Sequence, residues 1–397
     1  MPLDSNSPAR AGTTDADPAP WQKTTAIIIA ALIGEYSLLI MPFIVTAMMQ
    51  AYGIGELEAG NLVSLQLVTM GIAGIVVSYQ CRRIAPRAIV IPAALIIIIA
   101  NVLCAVGTGK AALVLGRCLT GVGEGSLMAA AGAIAAGVAN PHRLFSTLGL
   151  VIAAVAAIAL IVTPYLFGTV GPRGVFWLLV CSPVAALATA RWLPARVATS
   201  ADAPSLGALK IAGAVPALSA FALMWVGASA LWVFAELIGA AQGMTLAQVG
   251  TCLAIAQVAG IAGPILAARY GTNIGLAVSL ALGNAVMAGA GILMVYGNGS
   301  VTYTASTSFL SIGSMFLAPC FRSLMARLDA AGSVVAMSVA FYTFGFGIAP
   351  ALVSVTHPAG GGYGTVAAIA TIAFVLSGVL VLASRAARTT VAAASPS

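Results

Sequence analysis

Charged residues are scarce in this sequence. They make up 7% of its 397 residues, whereas apolar residues make up 61%. Soluble domains carry about 25% charged residues, so a soluble protein of this length would lack the charges needed to cover its surface in water. Together with a mean hydropathy of +1.06, this scarcity indicates that lipid surrounds most of the chain.

The residue patterns of common catalytic and metal sites are also absent. The two histidines lie far apart, and the six cysteines are scattered singly without a CxxC pair, which argues against a zinc site or a disulfide framework. There is no HExxH, no GxSxG and no Walker A loop. Lys and Arg form no block that could follow a phosphate backbone. We therefore expect no enzyme, no metal or other cofactor, and no nucleic-acid partner.

Apolar runs dominate what remains. About 20 apolar residues are needed for a helix to cross a bilayer, and runs of that kind, separated by Gly- and Pro-containing turns, predict twelve spans. They lie at 24–50, 57–79, 87–107, 111–138, 144–168, 174–193, 209–240, 246–268, 273–296, 301–326, 333–356 and 363–384. The sequence thus predicts an all-α integral membrane protein.

The distribution of Lys and Arg predicts the orientation of these spans, because both residues accumulate on the cytoplasmic side. If the N-terminus is cytoplasmic, only Lys110 and Arg173 lie outside and Arg117 lies within a span. The other Lys and Arg residues then fall on the cytoplasmic side: Arg10, Lys23, Arg82, Arg83, Arg87, Arg143, Arg191, Arg196, Lys210, Arg269, Arg322, Arg327, Arg385 and Arg388. We expect a multi-pass protein of the inner (cytoplasmic) membrane with both termini cytoplasmic.

Weak internal sequence repeats predict that the chain consists of two similar halves. Gln66 and Pro164 recur as Gln257 and Pro350 in similar surroundings, which fits two six-helix bundles of parallel orientation. The predicted organisation is a disordered cytoplasmic tail (1–22), an N-terminal bundle (23–193), a cytoplasmic linker (194–208), a C-terminal bundle (209–386) and a second tail (387–397).

The fourth predicted span carries the most specific motif. Residues 115–125 read Leu-Gly-Arg-Cys-Leu-Thr-Gly-Val-Gly-Glu-Gly, an Arg followed four residues later by Gly-x-Gly-x-small. This motif and the twelve spans resemble the major facilitator superfamily of secondary transporters. The resemblance implies two pseudo-symmetric six-helix bundles that work by alternating access, with spans one, four, seven and ten around a central cavity.

The loop between spans two and three departs from that family. Residues 78–87 keep the basic side chains Arg82, Arg83 and Arg87 but lack the Asp and the glycines of the family's Gly-x-x-x-Asp-Arg-x-Gly-Arg loop. The resemblance implies a gating role for this loop, and its altered sequence leaves open how the cytoplasmic side closes. Span five also lacks the Gly-Pro pair of proton/drug antiporters, because Thr163 precedes Pro164.

Four ionisable residues lie deep in the predicted spans: Glu35, Arg117, Glu124 and Glu236. A charge at mid-bilayer costs several kcal/mol unless it faces protein or water. Arg117 and Glu124 are seven residues apart, so they share a helix face about 10 Å apart along the axis. Glu35, Glu124 and Glu236 are candidates for proton coupling, and Arg117 for tuning a carboxylate or binding an anionic substrate. The alternative is a structural ion pair that locks helix packing.

The second half lacks equivalents of two of these charges. The residues of span ten that correspond to Arg117 and Glu124 are Phe309 and Phe316. We therefore expect the chemistry to lie mainly in the first half.

Further substrate-binding candidates are polar or aromatic. They are Trp225, Trp232, Gln66, Gln257 and Tyr342, for which lipid-facing or membrane-interface positions are the alternative. Gly121 and Gly125 form a smooth strip for close helix packing. Pro42, Pro164, Pro264, Pro319 and Pro350 are predicted to kink their helices.

The sequence predicts a monomeric, proton-coupled transporter of a small organic solute. Gly34-Glu35-Tyr36 with Pro42 downstream is loosely similar to the acidic first-helix motif of organic- and aromatic-acid symporters, which favours acid symport. One alternative is proton-driven efflux of amphipathic or cationic compounds, since three acidic groups face one basic group. A channel or a non-transporting sensor is the alternative of another class, against which the two-fold repeat argues.

Overall fold

The computed structural model is entirely helical over the residues that it describes. These are residues 20–81, 83–136, 138, 141–194, 206–271, 275–329, 332–356 and 362–393. Tail residues 1–19 and 394–397, most of the predicted linker and Arg82 lie outside the described residues. The predicted domain boundaries therefore stay a prediction.

The first half of the chain contains eight α-helices and a 3-10 turn at Ala190–Trp192. The helices are α1 (Pro20–Leu39), α2 (Met41–Tyr52), α3 (Glu56–Gln80), α4 (Pro86–Val106), α5 (Lys110–Ala136), α6 (Pro141–Val170), α7 (Gly174–Cys181) and α8 (Val184–Thr189).

The second half begins with a 3-10 turn at Leu206–Lys210 and continues with eight α-helices. They are α9 (Ala214–Val233), α10 (Ala235–Ala241), α11 (Leu246–Gly260), α12 (Ala262–Tyr270), α13 (Leu276–Tyr296), α14 (Gly299–Leu328), α15 (Ser333–Thr356) and α16 (Gly364–Ala393).

Eleven stretches of the described chain are long and apolar enough to cross a membrane, and the bent pair α1–α2 makes twelve if it counts as one span. This agrees with the predicted number. The chain bends by 55° between α1 and α2, where Pro42 occupies the first turn of α2. Proline is tolerated there because the first helical N–H groups have no intrahelical partner. Pro164, Pro319 and Pro350 lie inside α6, α14 and α15.

Glycines allow α5 to approach α3 at backbone distance. A Cβ atom on Gly121 would clash with the carbonyl oxygen of Gln66, and one on Gly125 with that of Met70. Gly34 of α1 similarly faces the backbone of α5, where an added Cβ would lie 2.9 Å from the Met128 nitrogen. Small residues at helix contacts let the backbones come this close, so the strip predicted in α5 is a packing surface.

We expect Gly125→Val to destabilise the protein, because the new side chain would push α5 away from the backbone of α3. Overpacking of this kind costs about 1–3 kcal/mol, and the loss would appear as a lower melting temperature and folded yield in detergent. Gly132→Val in the same helix is the matched control, since nothing lies within 4 Å of a Cβ at Gly132. Equal effects of the two substitutions would contradict this account of the contact.

The two halves meet mainly at one end of the bundle. Helix α2 packs against α9 and α10, α6 against α11, and α3 against α15. Helices α1 and α12 pack mainly within their own halves. We call the end where α2 finishes and α11 begins the closed end. The halves are therefore less closely packed toward the opposite end, where α1 begins, and we call the region between them there the cleft.

Candidate functional site

A buried polar network surrounds Glu124, which is 1% exposed. The Ser37 hydroxyl donates to Glu124 Oε2 over 2.8 Å, and Gln66 Nε2 donates to the same oxygen over 2.9 Å. Gln66 Nε2 also lies 2.8 Å from Ser37 Oγ. Helices α1 and α3 thus each contribute one donor to a single carboxylate of α5.

Arg117 belongs to the same network and is fully buried. Its Nε donates to Gln66 Oε1 over 3.0 Å, its Nη2 donates to the same oxygen, and its Nη1 lies 3.3 Å from Asn101 Oδ1. Asn101 is oriented by a hydrogen bond from its own amide nitrogen to the Ile97 carbonyl. The guanidinium is therefore held by two neutral amides from α3 and α4.

Gln66 separates the two charges of the network. Arg117 and Glu124 are both described, and no direct ion pair joins them. The amide oxygen of Gln66 faces Arg117 and its amide nitrogen faces Glu124. An amide can serve both partners because it carries an acceptor and two donors. The structural ion pair considered from the sequence is thus replaced by a relay through one glutamine.

The local sequence explains how this network forms. The seven-residue spacing places Arg117 and Glu124 on one face of α5, as expected. Gly121 lies between them and lets the Gln66 backbone approach. The long Gln66 side chain can therefore reach both charges. The glycine strip and the polar network are consequently parts of one α3–α5 contact.

Glu35 lies apart from this network, in the cleft. It is partly exposed, and the charge that acts on it is that of Arg322 in α14. Tyr342 of α15 interacts electrostatically with both groups. Because α1 packs mainly within the first half, the Glu35–Arg322 interaction crosses the gap between the two halves.

The sequence assigned Arg322 to the cytoplasmic side. The structure places it in the last two turns of α14, where it is exposed. Its assignment to the cytoplasmic side stays a prediction. The proposed equivalents Phe309 and Phe316 do lie in α14, and both line a surface pocket with α12 and α13.

An aromatic cluster adjoins Tyr342. Its ring centroid lies 4.7 Å from that of Trp225 and 6.0 Å from that of Phe346, and Phe221 packs edge-on against Trp225 at 6.1 Å. Trp225 is 9% exposed, and its indole N–H is buried without a hydrogen-bond partner. Buried indole nitrogens usually donate to an acceptor, so the Trp225 N–H is an exception to this rule.

Glu236 occupies a third place, near the closed end. Thr46 of α2 donates a hydrogen bond to its carboxylate, and both residues are buried. Nearby, the Trp232 indole nitrogen donates to the Leu38 carbonyl over 2.8 Å. Both contacts join the first half to the second. They therefore help hold the halves together at this end.

The remaining predicted site residues do not join these groups. Gln257 is half-buried in α11 and makes no side-chain hydrogen bond within the described chain. Arg83 is exposed and Arg87 half-buried at the α3–α4 connection, and Arg82 lies outside the described residues. A pocket of about 660 Å³ between α11 and α14 is lined by none of the predicted site residues.

Ser37, Thr46 and Asn101 were missed in the sequence. Asn101 carried a usable signal, because it follows the apolar run Ile96–Ala100 in the middle of a predicted span. Ser and Thr give no such signal, since in membrane helices they commonly bond to their own backbone. Within the described residues, no group of three or more His, Cys, Asp or Glu side chains could hold a metal ion.

Comparison with known proteins identifies the family. The family model of the Major Facilitator Superfamily matches residues 25–350. The fold is similar to the crystal structure of a D-xylose-proton symporter, with a TM-score of 0.71 and 15% sequence identity over 91% of this chain and 97% of that one. No curated protein sequence matches this chain. The twelve-helix prediction, the fourth-span motif and the family match lead to the same conclusion: this chain belongs to the Major Facilitator Superfamily, whose members are membrane transporters of small molecules and not enzymes.

Proposed function

We propose that this protein is a proton-coupled secondary active transporter that imports a small organic acid by alternating access. The observation that carries the proposal is the environment of Glu124: a fully buried carboxyl group with neutral hydrogen-bond partners and its nearest cation one glutamine away. Such a group can serve as a proton carrier. How far Arg117 offsets the negative charge of its ionised form depends on the position of Gln66.

Ser37 supports both protonation states of Glu124. A hydroxyl donates to a carboxylate and can accept from a carboxylic acid by rotating its hydrogen. Gln66 can keep its amide oxygen on Arg117 in both states, because only its amide nitrogen contacts Glu124. Proton loading would therefore leave the Glu124 carboxyl and Arg117 with hydrogen-bond partners, whereas an unpaired buried polar atom costs about 1–3 kcal/mol.

Movement of α1 and α3 relative to α5 would couple this site to transport. The Glu124 carboxylate and its two donors stand on three different helices, so a shift of about 1 Å would lengthen these hydrogen bonds beyond their working range. The contacts of Thr46 with Glu236 and of Trp232 with Leu38 would break when the closed end opens. If both termini are cytoplasmic, as the charge distribution predicts, the described state corresponds to an inward-open one.

Acid symport is favoured over the alternatives by Arg322. Its exposed guanidinium in the cleft attracts an anion and repels the cationic solutes of an exporter. The structurally similar protein is described as a proton symporter of D-xylose, and proton symport is extended to this chain only as part of the proposal. We further propose an inner-membrane location and a monomeric transporter.

Transport by purified protein in proteoliposomes tests the function. Labelled benzoate outside vesicles with an alkaline interior should enter faster than without the gradient, after subtraction of passive entry into protein-free liposomes. A cationic dye should show no protein-dependent flux. Benzoate flux that is independent of the gradient, with Glu35→Gln and Glu124→Gln both fully active, would contradict proton coupling, and dye export driven by the gradient would favour the efflux alternative.

A further inference from the structure

The hydrogen bond between Thr46 and Glu236 joins the two halves at the closed end. We propose that Glu236 is a second proton-binding site, and that its protonated form holds the closed end shut through Thr46. The carboxylate binds a proton from the solution at that end on closing and returns it to the same solution on opening, so this proton is not transported. The inference goes beyond the proposed function, because it assigns a role to a carboxyl group that coupling at Glu124 does not use.

The sequence repeat places this contact close to the axis that relates the two halves. Thr46 and Glu236 are 190 residues apart, which is close to the separation of Gln66 and its repeat counterpart Gln257. The two residues therefore occupy nearly equivalent positions in the two halves, and equivalent positions meet each other near the symmetry axis. Because that axis runs along the membrane normal, the contact lies near the centre of the closed end.

Both partners stand on short segments that follow a break in a helix. Helix α2, which carries Thr46, follows the 55° bend after α1. Helix α10 has seven residues, begins after the break at Phe234 and carries Glu236 in its first turn. The two segments pack against each other. Breaks at helix ends act as hinges, so α2 and α10 can separate while α1 and α9 keep their own contacts.

The hydrogen-bond count favours a protonated Glu236 while this end is closed. The Thr46 hydroxyl has one hydrogen and two oxygen neighbours, a carboxyl oxygen of Glu236 and the Pro42 carbonyl oxygen at 3.4 Å. An ionised Glu236 takes this hydrogen and leaves none for the Pro42 carbonyl. A protonated Glu236 donates to Thr46 Oγ1, and the hydroxyl then donates to Pro42, so each oxygen has a partner.

The surroundings of Glu236 supply no compensating positive charge. Glu236 is 4% exposed, and within the described residues no Lys or Arg forms an ion pair or hydrogen bond with it. Burying an unpaired carboxylate is costly, whereas a carboxylic acid is neutral. Helix α9 contributes no titratable side chain. The titratable groups on the other elements around Glu236 are neutral or acidic: Tyr52, Glu56, Cys252, Tyr303 and Tyr363.

The nearby phenol groups bond to partners other than Glu236. The Tyr303 hydroxyl donates to the Ala235 carbonyl over 2.6 Å. The Tyr363 hydroxyl donates to Glu56 over 3.1 Å. The hydroxyl from α2 is therefore the hydrogen-bond partner on which the state of Glu236 depends.

Hydrogen–deuterium exchange of purified protein in detergent measures how often the closed end opens. After correction for the intrinsic pH dependence of amide exchange, the opening constant of α2 and α10 should rise about tenfold per pH unit between about pH 5 and pH 7, because opening releases one proton. Amides of α13, which packs on α14 and α16, should show no such trend. An opening constant of α2 and α10 that does not depend on pH would overturn the proposal.

Glu236→Gln imitates the protonated acid, because its amide nitrogen can donate to Thr46 and it carries no charge. The corrected exchange of α2 and α10 should become slow and independent of pH. Glu58→Gln is the matched control, since it removes a partly exposed carboxylate that pairs with Lys110, and it should keep the wild-type pH dependence. A pH dependence that survives in Glu236→Gln would refute the assignment to Glu236.

Infrared spectroscopy tests the protonation state directly and requires no movement of the closed end. At about pH 6 the wild type should show a carboxylic-acid C=O band that Glu236→Gln lacks and Glu58→Gln keeps. The bands of other protonated carboxyl groups cancel in the difference between wild type and variant. Identical carboxylic-acid bands in the wild type and in folded Glu236→Gln protein would contradict a protonated Glu236.

Thr46 variants test the hydroxyl. Thr46→Val should raise the corrected opening constant of α2 and α10 roughly 2- to 10-fold at pH 5, because one hydrogen bond across the halves is lost. Thr46→Ser keeps the hydroxyl and should change the constant little. Equal exchange in the two variants would show that the hydroxyl does not hold the closed end.

These outcomes are distinguishable from failure of the proposed function. Wild-type flux that ignores the pH gradient would contradict coupling at Glu124 even if Glu236 gives the expected infrared band and exchange. Proton-driven flux combined with a pH-independent opening constant would contradict only the role of Glu236.

Discussion

Glu124→Gln is expected to abolish proton-driven accumulation while leaving the protein folded. Glutamine is nearly isosteric with glutamate, so it can keep hydrogen bonds to Ser37 and Gln66, but it cannot bind and release a proton. In alkaline-inside vesicles with a gradient of two pH units, one proton per solute can drive an accumulation of about 100-fold. After passive entry into protein-free liposomes is subtracted, the variant should show almost no accumulation.

The measurement should compare accumulation with exchange. Exchange of labelled for unlabelled substrate requires no net proton movement, so it should persist in Glu124→Gln and show that the cleft still binds and moves solute. Glu58→Gln is the matched control, because Glu58 is a partly exposed carboxylate paired with Lys110 at the membrane surface. Full accumulation by Glu124→Gln would show that the coupling proton is carried elsewhere.

Gln66→Leu is expected to produce the largest loss of stability. The substitution removes the acceptor for two nitrogens of buried Arg117 and a donor to Glu124. Leaving a buried charge without its partner costs about 3–5 kcal/mol. The loss should appear as a clearly lower melting temperature of the purified protein, measured at the same detergent concentration as the wild type.

Gln257→Leu provides the internal control for this effect. Gln257 is the counterpart of Gln66 in the sequence repeat, yet it is half-buried in α11 and makes no side-chain hydrogen bond in the described chain. Its replacement should change the melting temperature little. A similar loss in both variants would mean that the amide is important for packing alone and not for holding Arg117.

Much of the fold was predictable because its determinants are local. Twelve apolar runs are visible along the chain, and the structure contains up to twelve candidate spans. Positions on one helix face were also predictable, since Arg117 and Glu124 follow helical periodicity. Breaks within spans were harder to predict from the sequence. Helix α9 ends at Val233 and α10 begins at Ala235, inside the single predicted span 209–240.

The candidate site was predictable only in part. Glu35, Arg117, Glu124 and Glu236 stood out because charges are rare in spans. The sequence did not reveal that they divide among three places, with Glu124 and Arg117 in one network, Glu35 in the cleft and Glu236 near the closed end. That division depends on which helices pack against one another.

By itself, the sequence determined that the chain spans a membrane about twelve times and resembles the transporter family to which it belongs, because hydrophobicity and helical periodicity are properties of single segments. Only the tertiary structure showed that Gln66 lies between Arg117 and Glu124 and that Thr46 donates to Glu236. The scarce charges are therefore recognisable one at a time along the chain. Their partners come from other helices, and the packing of glycine-lined helix faces decides which of them meet.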